Sequence, residues 1–347
     1  MGLKSWFTES FPVDTDALIT LSSEPIPNHL KRWWWGLGGT PLFMFMIQVI
    51  TGLMLIFYYV PDPDKAYQSV EYITYTSKFG WLIRSIHRWA SNIMIAALLL
   101  HMLRVFFTRT YQRPRELNWM FGVTLLILTL LFGFTGYSLV YEQMSYWAMK
   151  VGTGIAGATP FIGPWLADFI RGGSEIGQNT LTRFFLFHIA LLPFITLLFV
   201  GLHLYLIRTH GVSELKFPGD QKSSKKTYPL FPDHVYTELI VVTLILVTLV
   251  VLSLVFPIGL GEPADPNVTP LHIKPEWYFY PVFRWLKITN LKVGVLGPII
   301  FIFLLYAWPF IDRFLEKKFP GKEIAFWIGL AGFLTIMVFL VWEIFGH

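Results

Sequence analysis

The sequence predicts an all-α integral membrane protein with seven transmembrane helices. The first observation is that only 14% of its 347 residues are charged. A soluble domain carries about 25% charged residues, so this chain has too few to cover a surface facing water on all sides. The second is that 54% of the residues are hydrophobic and the mean hydropathy is +0.54. The third is that the apolar residues fall into long windows free of Asp, Glu, Lys and Arg.

A bilayer core needs about 20 mainly apolar residues per helix. The sequence has seven charge-free windows, of which six are long enough to cross. The seventh, Trp89–Leu103, is too short to cross alone and must extend through Arg88 or Arg104. An arginine at that depth is costly and usually has a partner inside the bundle. The six longer charge-free windows are Trp33–Pro61, Leu117–Tyr141, Phe184–Ile207, Leu239–Gly261, Val293–Ile311 and Ile324–Trp342.

The connections on the two sides of the membrane differ in their number of Lys and Arg residues. The N-terminal segment and the connections after even-numbered spans hold 16 of the 27 Lys and Arg residues. The positive-inside rule therefore places the N-terminus on the cytoplasmic face, called the negative side below. No signal peptide is evident at the N-terminus.

The connections also predict a domain organisation. A polar linker, residues 211–236, separates a four-helix bundle (1–210) from a three-helix part (237–347). On the positive side, residues 142–183 and 257–292 are long and rich in Gly, Pro and aromatic residues. Long connections of this kind are usually functional.

Two features exclude whole classes of function. The chain has no cysteine, which rules out disulfides, thiolate metal sites, cysteine-bound iron–sulfur clusters and a thioether-linked haem. The net charge is +5, but the basic residues form no continuous tract, so nucleic-acid binding is not expected.

Four histidines are the most informative candidates. His87 and His101 lie 14 residues apart in the second span, and His188 and His203 lie 15 apart in the fourth. Each pair roughly shares a helix face, with its members about 21–22 Å apart along the axis. Because these spans run in the same direction, His87 pairs with His188 near the positive side and His101 with His203 near the negative side. The alternative for any one of them is a packing or proton-relay role.

Glycines repeat the spacing of the histidines. The first span has Gly38 and Gly52, and the third has Gly122 and Gly136, each pair 14 residues apart. A glycine in a membrane helix usually serves close packing. Its repetition here indicates flat patches against two planar cofactors, and bis-histidine haem b fits best because it needs no cysteine.

Arginines near the histidines would meet the charge of haem propionates. The alternative for each of them is to reach lipid phosphates at the membrane surface. The candidates are Arg84, Arg88 and Arg183 on the positive side and Arg104, Arg115 and Arg208 on the negative side.

These residues resemble cytochrome b of the quinol oxidoreductases, the cytochrome bc and bf complexes. The resemblance covers nearly the whole chain. It lies in Gly80-Trp-Leu-Ile-Arg-Ser-Ile-His-Arg-Trp, Pro114-Arg-Glu-Leu-Asn-Trp, Phe134-Thr-Gly-Tyr-Ser-Leu, Gly177-Gln-Asn-Thr-Leu-Thr-Arg-Phe, Gly261-Glu-Pro-Ala-Asp-Pro and Pro275-Glu-Trp-Tyr.

The chain looks most like the bf form, with its cytochrome b6 and subunit IV parts fused. Two positions depart from that pattern. Gly36 stands where the bf form has a cysteine for an extra haem, so a third haem there would lack a thioether. Val140-Tyr141-Glu142 replaces a stretch that commonly contains proline, so the positive-side pocket is expected to differ in shape.

The resemblance implies quinol oxidation on the positive side. Glu276 lies in an apolar aromatic loop, which suits its carboxylate to accept a proton from a quinol hydroxyl, and Tyr278 helps to position the quinol. In an unknown protein such a loop would more often be an interfacial aromatic anchor. The expected quinol-binding residues are Pro275, Glu276, Trp277, Tyr278 and Met144.

The resemblance also implies partners and a location. One electron goes to a Rieske iron–sulfur protein and a c-type cytochrome, and the other crosses through two b haems to a quinone on the negative side. The expected setting is the lipid of an energy-transducing membrane, such as a bacterial inner membrane, with the complex a homodimer. Candidates for the negative-side quinone are His210, Asp233 and His234; the alternative is a solvated loop in which Asp233 caps a helix.

Two other functions remain open from the sequence alone. The chain could be a dihaem anchor that passes electrons from a peripheral dehydrogenase to quinone, although the Pro275–Tyr278 loop and the last three helices argue against it. It could also be a non-redox transporter that uses the histidines for proton coupling; absence of b-haem absorption bands would favour that reading.

Overall fold

The computed structural model describes residues 23, 25–27, 30, 37–213 and 227–346. Seven helical segments there are long and apolar enough to cross a membrane, which confirms the predicted fold class. In chain order the helices are α1 (Gly39–Ile56), α2 (Ala66–Tyr75), α3 (Gly80–Phe107), α4 (Glu116–Ser138), α5 (Gln143–Gly157), α6 (Gly163–Arg171), α7 (Gln178–Leu186), α8 (Leu192–His210), α9 (Val235–Val255), α10 (Tyr280–Ile288), α11 (Leu291–Lys318) and α12 (Ile324–Phe345).

Two of the spans are longer than their charge-free windows, and one of the two contains a π-helical turn. The short second window is extended in α3, which carries Arg84, Arg88 and Arg104 within its length. The fourth span runs continuously over Gln178–His210, because a π-helical turn, Phe187–Leu191, joins α7 to α8. Both extensions place basic residues at the ends of spans rather than in the apolar centre.

Helices α1, α3, α4 and α7–α8 form the first bundle, and the last three spans pack on its outside. Helix α9 lies against α3, α11 lies against α4, and α10 lies against α12. A buried cluster that includes Met44, Ala90 and Leu249 joins α1, α3 and α9. The two parts of the chain therefore share one apolar interior near the middle of the membrane.

The positive-side connections are largely helical. Residues 142–183 contain α5 and α6, and residues 257–292 contain α10. Helix α5 buries Tyr146 and Met149 against Leu181 and Phe184, which explains why this stretch is rich in apolar residues. Sequence reasoning missed α2, which lies in the connection between the first two spans.

On the negative side, two short strands bring distant segments together. Pro25–Pro27 (β1) pairs antiparallel with Thr227–Pro229 (β2), with Ile26 opposite Tyr228. The fifth span begins at Leu230, so the last residues of the expected linker, 211–236, belong to β2 and that span. Gly36 lies outside the described residues.

A buried carboxylate joins the two parts of the chain near the negative side. Asp312 on α11 has a side chain only 1% exposed and lies 2.8 Å from Nη2 of Arg109. Its Oδ2 also accepts hydrogen bonds from Tyr111 and Gln112, both at 3.1 Å. The connection after α3 is thus fixed to α11 by three side chains that share one acceptor group.

Removing this acceptor should weaken the fold more than removing an exposed partner of the same arginine. We expect Asp312→Ala to lower the free energy of unfolding by about 3 kcal/mol, because it removes hydrogen bonds to a charged group and leaves the buried Tyr111 hydroxyl without this acceptor. Glu316→Ala is the control: Glu316 also pairs with Arg109 but is half exposed, and its loss should cost less than about 1 kcal/mol. The measurement is denaturant unfolding in detergent micelles, and equal losses would contradict the assignment.

Candidate functional site

The four-helix bundle encloses a cavity toward each end, and each cavity contains one of the expected histidine pairs. His87 and His188 line a cavity of about 300 Å³ toward the positive side. His101 and His203 line a cavity of about 480 Å³ toward the negative side. The structure thus pairs the four histidines as their spacing predicts.

The rings of His87 and His188 face each other inside the bundle. Their centroids are 6.4 Å apart and their planes are inclined by 68°. A metal–imidazole bond is about 2 Å long, so this separation leaves room for a single metal ion between two ring nitrogens.

Hydrogen bonds fix the protonation of these two rings. Nδ1 of His87 lies 2.8 Å from Oγ1 of Thr51, whose hydroxyl already donates to the carbonyl of Ile47. Nδ1 of His188 lies 3.0 Å from Oγ1 of Thr135, which donates to the carbonyl of Leu131 in the same way. Each threonine oxygen must therefore accept, so each histidine carries its proton on Nδ1 and leaves the lone pair of Nε2 available as a ligand.

The negative-side pair follows this pattern in part. Nδ1 of His203 lies 3.2 Å from the carbonyl oxygen of Asn118, to which only a protonated nitrogen can donate. Nδ1 of His101 is buried and has no hydrogen-bond partner among the described residues. His203 is thus held in the same tautomer as the positive-side histidines.

The π turn explains how separations of 14 and 15 residues give matching sites. In a regular α-helix, 14 residues fall about 40° short of four turns and 15 overshoot by about 60°. The turn Phe187–Leu191 contains His188 and takes up one extra residue relative to an α-helical turn. His203 consequently stands in the same angular relation to His188 as His101 does to His87.

Glycines on α1 and α4 lie directly against the histidine rings. A Cβ atom added at Gly136 would lie 2.6 Å from Cε1 of His188, and one at Gly52 would lie 3.3 Å from Cε1 of His87. At Gly38 the distance to Cε1 of His101 would be 3.2 Å. At Gly122 the distance to His203 would be 3.8 Å, an ordinary contact. Three of the four expected glycines are therefore in places where a side chain would displace a histidine.

These features fit a planar metal cofactor held by two imidazoles. Each cavity has a histidine on each of two helices and glycines that leave the backbone of the neighbouring helices uncovered. Within the described ranges there is no cluster of three or more His, Cys, Asp or Glu that could hold a bare metal ion. A haem iron needs only two protein ligands, so the residues present suit haem b.

The expected propionate partners divide into two groups. Arg84 and Arg88 line the positive-side cavity, and Arg104 and Arg115 line the negative-side cavity. Arg183 and Arg208 are not among the described residues that line either cavity. Arg183 instead donates to the carbonyl groups of Asp168 and Phe169 on α6.

The Pro275–Tyr278 loop reaches the positive-side cavity through Arg88. The guanidinium of Arg88 forms an ion pair with Oε1 of Glu276 and lies 5.5 Å from the ring centre of Tyr137. Nε1 of Trp277 donates to Oδ1 of Asn92 on α3 at 2.7 Å. Arg88 directly follows His87 in the sequence and lines the same cavity. The Arg88 side chain therefore connects the carboxylate of Glu276 to the cavity that contains the histidine pair.

Tyr278 packs against Gly133 of α4, which is itself a lining residue of the same cavity. A Cβ atom at Gly133 would lie 2.6 Å from its hydroxyl oxygen, so only glycine allows this approach. Burial, with a smaller contribution from the charge of Glu276, raises the pKa of the Tyr278 hydroxyl. The group therefore stays protonated and can donate a hydrogen bond.

The expected quinol-binding residues lie outside the walls of the histidine cavity. None of Pro275, Glu276, Trp277, Tyr278 and Met144 is among the described residues that line the positive-side cavity. Val140 and Glu142, at the departure from the family pattern, do line it. Oε2 of Glu142 accepts a hydrogen bond of 2.8 Å from the backbone N–H of Gly261, which ties α5 to the connection that follows α9.

On the negative side, one of the three expected residues reaches the cavity. His234 lines it together with Glu238, and Nδ1 of His234 lies 2.9 Å from the hydroxyl of Tyr228. His210 and Asp233 are not among the described lining residues. Asp233 is exposed, and α9 has no side-chain cap at its start.

Sequence reasoning missed the threonines and Glu238. Thr51 and Thr135 each precede one of the spaced glycines, so the repeated Thr-Gly pair was an available signal. Glu238 follows His234 by one helical turn, and only the folded structure shows that both face a cavity. Asn118 was not identifiable, because it accepts through its backbone carbonyl.

Comparisons with known proteins point to a single family. Residues 21–211 match the family model described as cytochrome b/b6/petB, and residues 263–345 match cytochrome b(C-terminal)/b6/petD. The "Cytochrome bc complex cytochrome b subunit" of Chlorobaculum thiosulfatiphilum is 39% identical over 98% of this chain and 81% of its own length.

A shorter relative and a solved structure extend the comparison. "Cytochrome b6" of Synechococcus sp. (strain RCC307) is 42% identical over 60% of this chain and 94% of its own length. A solved structure of a "Hyperthermophilic respiratory Complex III" superposes with a TM-score of 0.79 at 27% identity, covering 98% of this chain and 97% of that one. The chain belongs to the cytochrome b family and is the cytochrome b subunit of a bc/b6f-type oxidoreductase complex.

Proposed function

We propose that this subunit oxidises quinol on the positive side and divides the two electrons between two routes. One electron goes to a Rieske iron–sulfur protein and then to a c-type cytochrome. The other crosses the membrane to a quinone on the negative side, and the quinol protons are released on the positive side. The observation that carries the proposal is the ion pair that connects Glu276 of the Pro275–Tyr278 loop to Arg88, the neighbour of His87.

We assign the ligands of two b haems to the histidine pairs. The Nδ1 hydrogen bonds of His87, His188 and His203 support this assignment, because each leaves Nε2 unprotonated. Haem b, when bound, would supply a one-electron redox centre at each depth. Arg84, Arg88, Arg104 and Arg115 would meet the propionate charge from the cavity walls.

Glu276 and Tyr278 carry the chemistry proposed for the positive side. An ionised carboxylate can take a proton from a quinol hydroxyl, and the ion pair with Arg88 fixes where that carboxylate lies. The Tyr278 hydroxyl, held against Gly133, is a donor that can orient the quinol oxygen. Tyr278 is buried and the Glu276 side chain is only 15% exposed, which limits competition from water.

For the negative-side quinone we favour His234 over His210 and Asp233. His234 lines the larger cavity and is oriented by the Tyr228 hydroxyl, whereas His210 and Asp233 are not described among its walls. Glu238, 3.9 Å from Nε2 of His234, would complete a path for protons to the quinone.

The proposal includes the arrangement of the complex. We infer a homodimeric complex in an energy-transducing membrane, with residues 1–210 as the dihaem bundle and 237–347 as the part that supplies the quinol loop. The seven spans support the membrane setting. The name of the Chlorobaculum relative places that protein in a cytochrome bc complex, which supports a Rieske protein and a c-type cytochrome as partners here.

Replacing a negative-side histidine should remove one haem only. We expect His203→Leu or His101→Leu to abolish the negative-side b signal and to preserve the positive-side one, because the two cavities share no histidine. A redox titration of the visible spectrum measures both signals separately. Loss of both signals in a folded variant, or of neither, would contradict the ligand assignment.

The two α4 glycines provide a matched test of the cavities. Gly136→Ala places a methyl group 2.6 Å from the His188 ring, so this ring must move and the positive-side haem should be lost or spectrally shifted. Gly122→Ala meets His203 at 3.8 Å and should keep both haems. The haem-to-protein ratio and the redox titration distinguish the variants; identical behaviour of the two would argue against close contact at Gly136.

Glu276→Gln tests the proposed oxidation site. The variant should bind both haems but oxidise quinol at least about 100-fold more slowly, since a positioned proton acceptor contributes at least that factor. The control is Glu262→Gln, the same carboxylate-to-amide change at an exposed glutamate on the same side, which should leave turnover unchanged. Quinol-dependent reduction of a c-type cytochrome is the assay, and wild-type turnover in Glu276→Gln would exclude the proposed role.

A further inference from the structure

A fully buried carboxylate lies at the positive-side end of the last span. Glu343 on α12 has 0% exposure, and it is two residues from the end of that helix. An isolated ionised carboxylate in such a place is strongly unfavourable unless cations neutralise it. Nothing in the proposed electron or proton path uses this group.

Arg284 on α10 is one of two cations that meet the carboxylate. Its Nε lies 2.9 Å from Oε2 of Glu343 in an ion pair, and its Nη2 donates to the carbonyl of Trp342 at 3.1 Å. The guanidinium also lies 4.6 Å from the ring centre of Trp342. Arg284 is itself only 7% exposed, so Glu343 is the counter-ion that compensates its buried positive charge.

Two lysines complete the contact. Nζ of Lys287 lies 2.7 Å from Oε1 of Glu343 and donates a hydrogen bond to it, whereas Oε2 meets Arg284 at ion-pair distance without hydrogen-bond geometry. Nζ of Lys274 lies 3.2 Å from the carbonyl oxygen of Glu343 and 3.4 Å from that of Gly346. All three cations lie in one stretch of chain, residues 274–288, called the quinol segment below.

These cations flank the Pro275–Tyr278 loop in the sequence, so their contacts with the end of α12 bear on the position of that loop. Lys274 directly precedes Pro275, and Arg284 and Lys287 follow Tyr278 within the next helix. The 3₁₀ turn Trp277–Phe279 leads directly into α10, so the chain between Glu276 and Arg284 is a continuous helical unit. A displacement of Arg284 would therefore move Glu276 relative to Arg88.

We propose that Glu343 is a positioning residue for quinol oxidation: its carboxylate holds the quinol segment through Arg284 and Lys287 and thereby sets the place of Glu276, while Lys274 is held by the backbone carbonyl groups at the end of α12. The inference rests on the proposed function of Glu276, but the holding contact itself does not. If Glu343 loses its charge, Arg284 is left buried without a counter-ion, and α10 must shift to hydrate it.

The test compares Glu343→Gln with Asp312→Asn in the intact complex. Both variants replace a buried paired carboxylate with an isosteric amide, but Asp312 lies at the negative-side end of α11, away from the quinol segment. Amide hydrogen exchange is measured first without quinol. We expect faster exchange confined to residues 274–288 and 342–346 in Glu343→Gln, and wild-type exchange of these residues in Asp312→Asn.

Steady-state kinetics then connects the contact to the reaction. Glu343→Gln should raise the KM for quinol at least about tenfold with a smaller change in kcat, because the segment can still reach the productive position. The double variant Glu343→Gln with Arg284→Gln removes both buried charges and should recover much of the exchange protection and of the KM.

The outcomes separate this inference from the proposed function. Unchanged exchange of residues 274–288 in Glu343→Gln, or the same change in Asp312→Asn, overturns the holding contact. Faster exchange with an unchanged KM overturns the role in quinol oxidation. Wild-type turnover of Glu276→Gln would instead overturn the function of the loop, while the exchange result would still report on the contact.

Discussion

The proposed haem ligation requires each histidine pair to present unprotonated nitrogens to the space between its rings. In this chain the requirement is met from outside the pair. The hydroxyl oxygens of Thr51 and Thr135 accept hydrogen bonds from the Nδ1–H groups, because each hydroxyl hydrogen is already donated to a carbonyl group of its own helix. The positions of α1 and α4 around the cavities follow from this constraint, since each of them must supply a threonine and a glycine to a neighbouring ring.

The histidine pair near the positive side is also connected to the three-helix part. Arg88 joins the cavity to Glu276, and the quinol segment that carries Glu276 is held in turn by the end of α12. On the opposite side, Asp312 fixes the connection after α3 to α11. The last three spans therefore do more than cover the bundle, because they determine where the loop beside the cavity lies.

Much of this organisation could be predicted from local sequence. The length of apolar windows gave the seven spans, and the spacing of histidines gave their pairing, since both depend on helix geometry alone. The family motifs pointed to Glu276, whereas its ion pair with Arg88 involves residues 188 positions apart and needed the fold. Arg183 shows the limit: it lies close to His188 in sequence, but its guanidinium turns to the carbonyl groups of α6.

The buried ion pairs of Glu343 and Asp312 also could not be predicted from the sequence. Glu343 and Asp312 stand at the ends of apolar windows, where a carboxylate would ordinarily be read as the point at which a helix leaves the membrane. Their partners come from distant connections, so no local pattern distinguishes them from solvated residues. α2 was missed for a related reason, because a ten-residue helix between two spans gives a weaker periodic signal than the spans themselves.

The π turn at His188 bears on how chains with this architecture can vary. The π turn keeps the angular phase of His188 and His203, whereas the number of residues between two such histidines is free to change wherever the helix can absorb a bulge. A single-residue insertion or deletion between them would then alter one turn and leave both side chains directed toward their cavities. Aligning such chains by residue count would misplace one histidine by about 100°, whereas aligning them by phase would keep all four histidines equivalent.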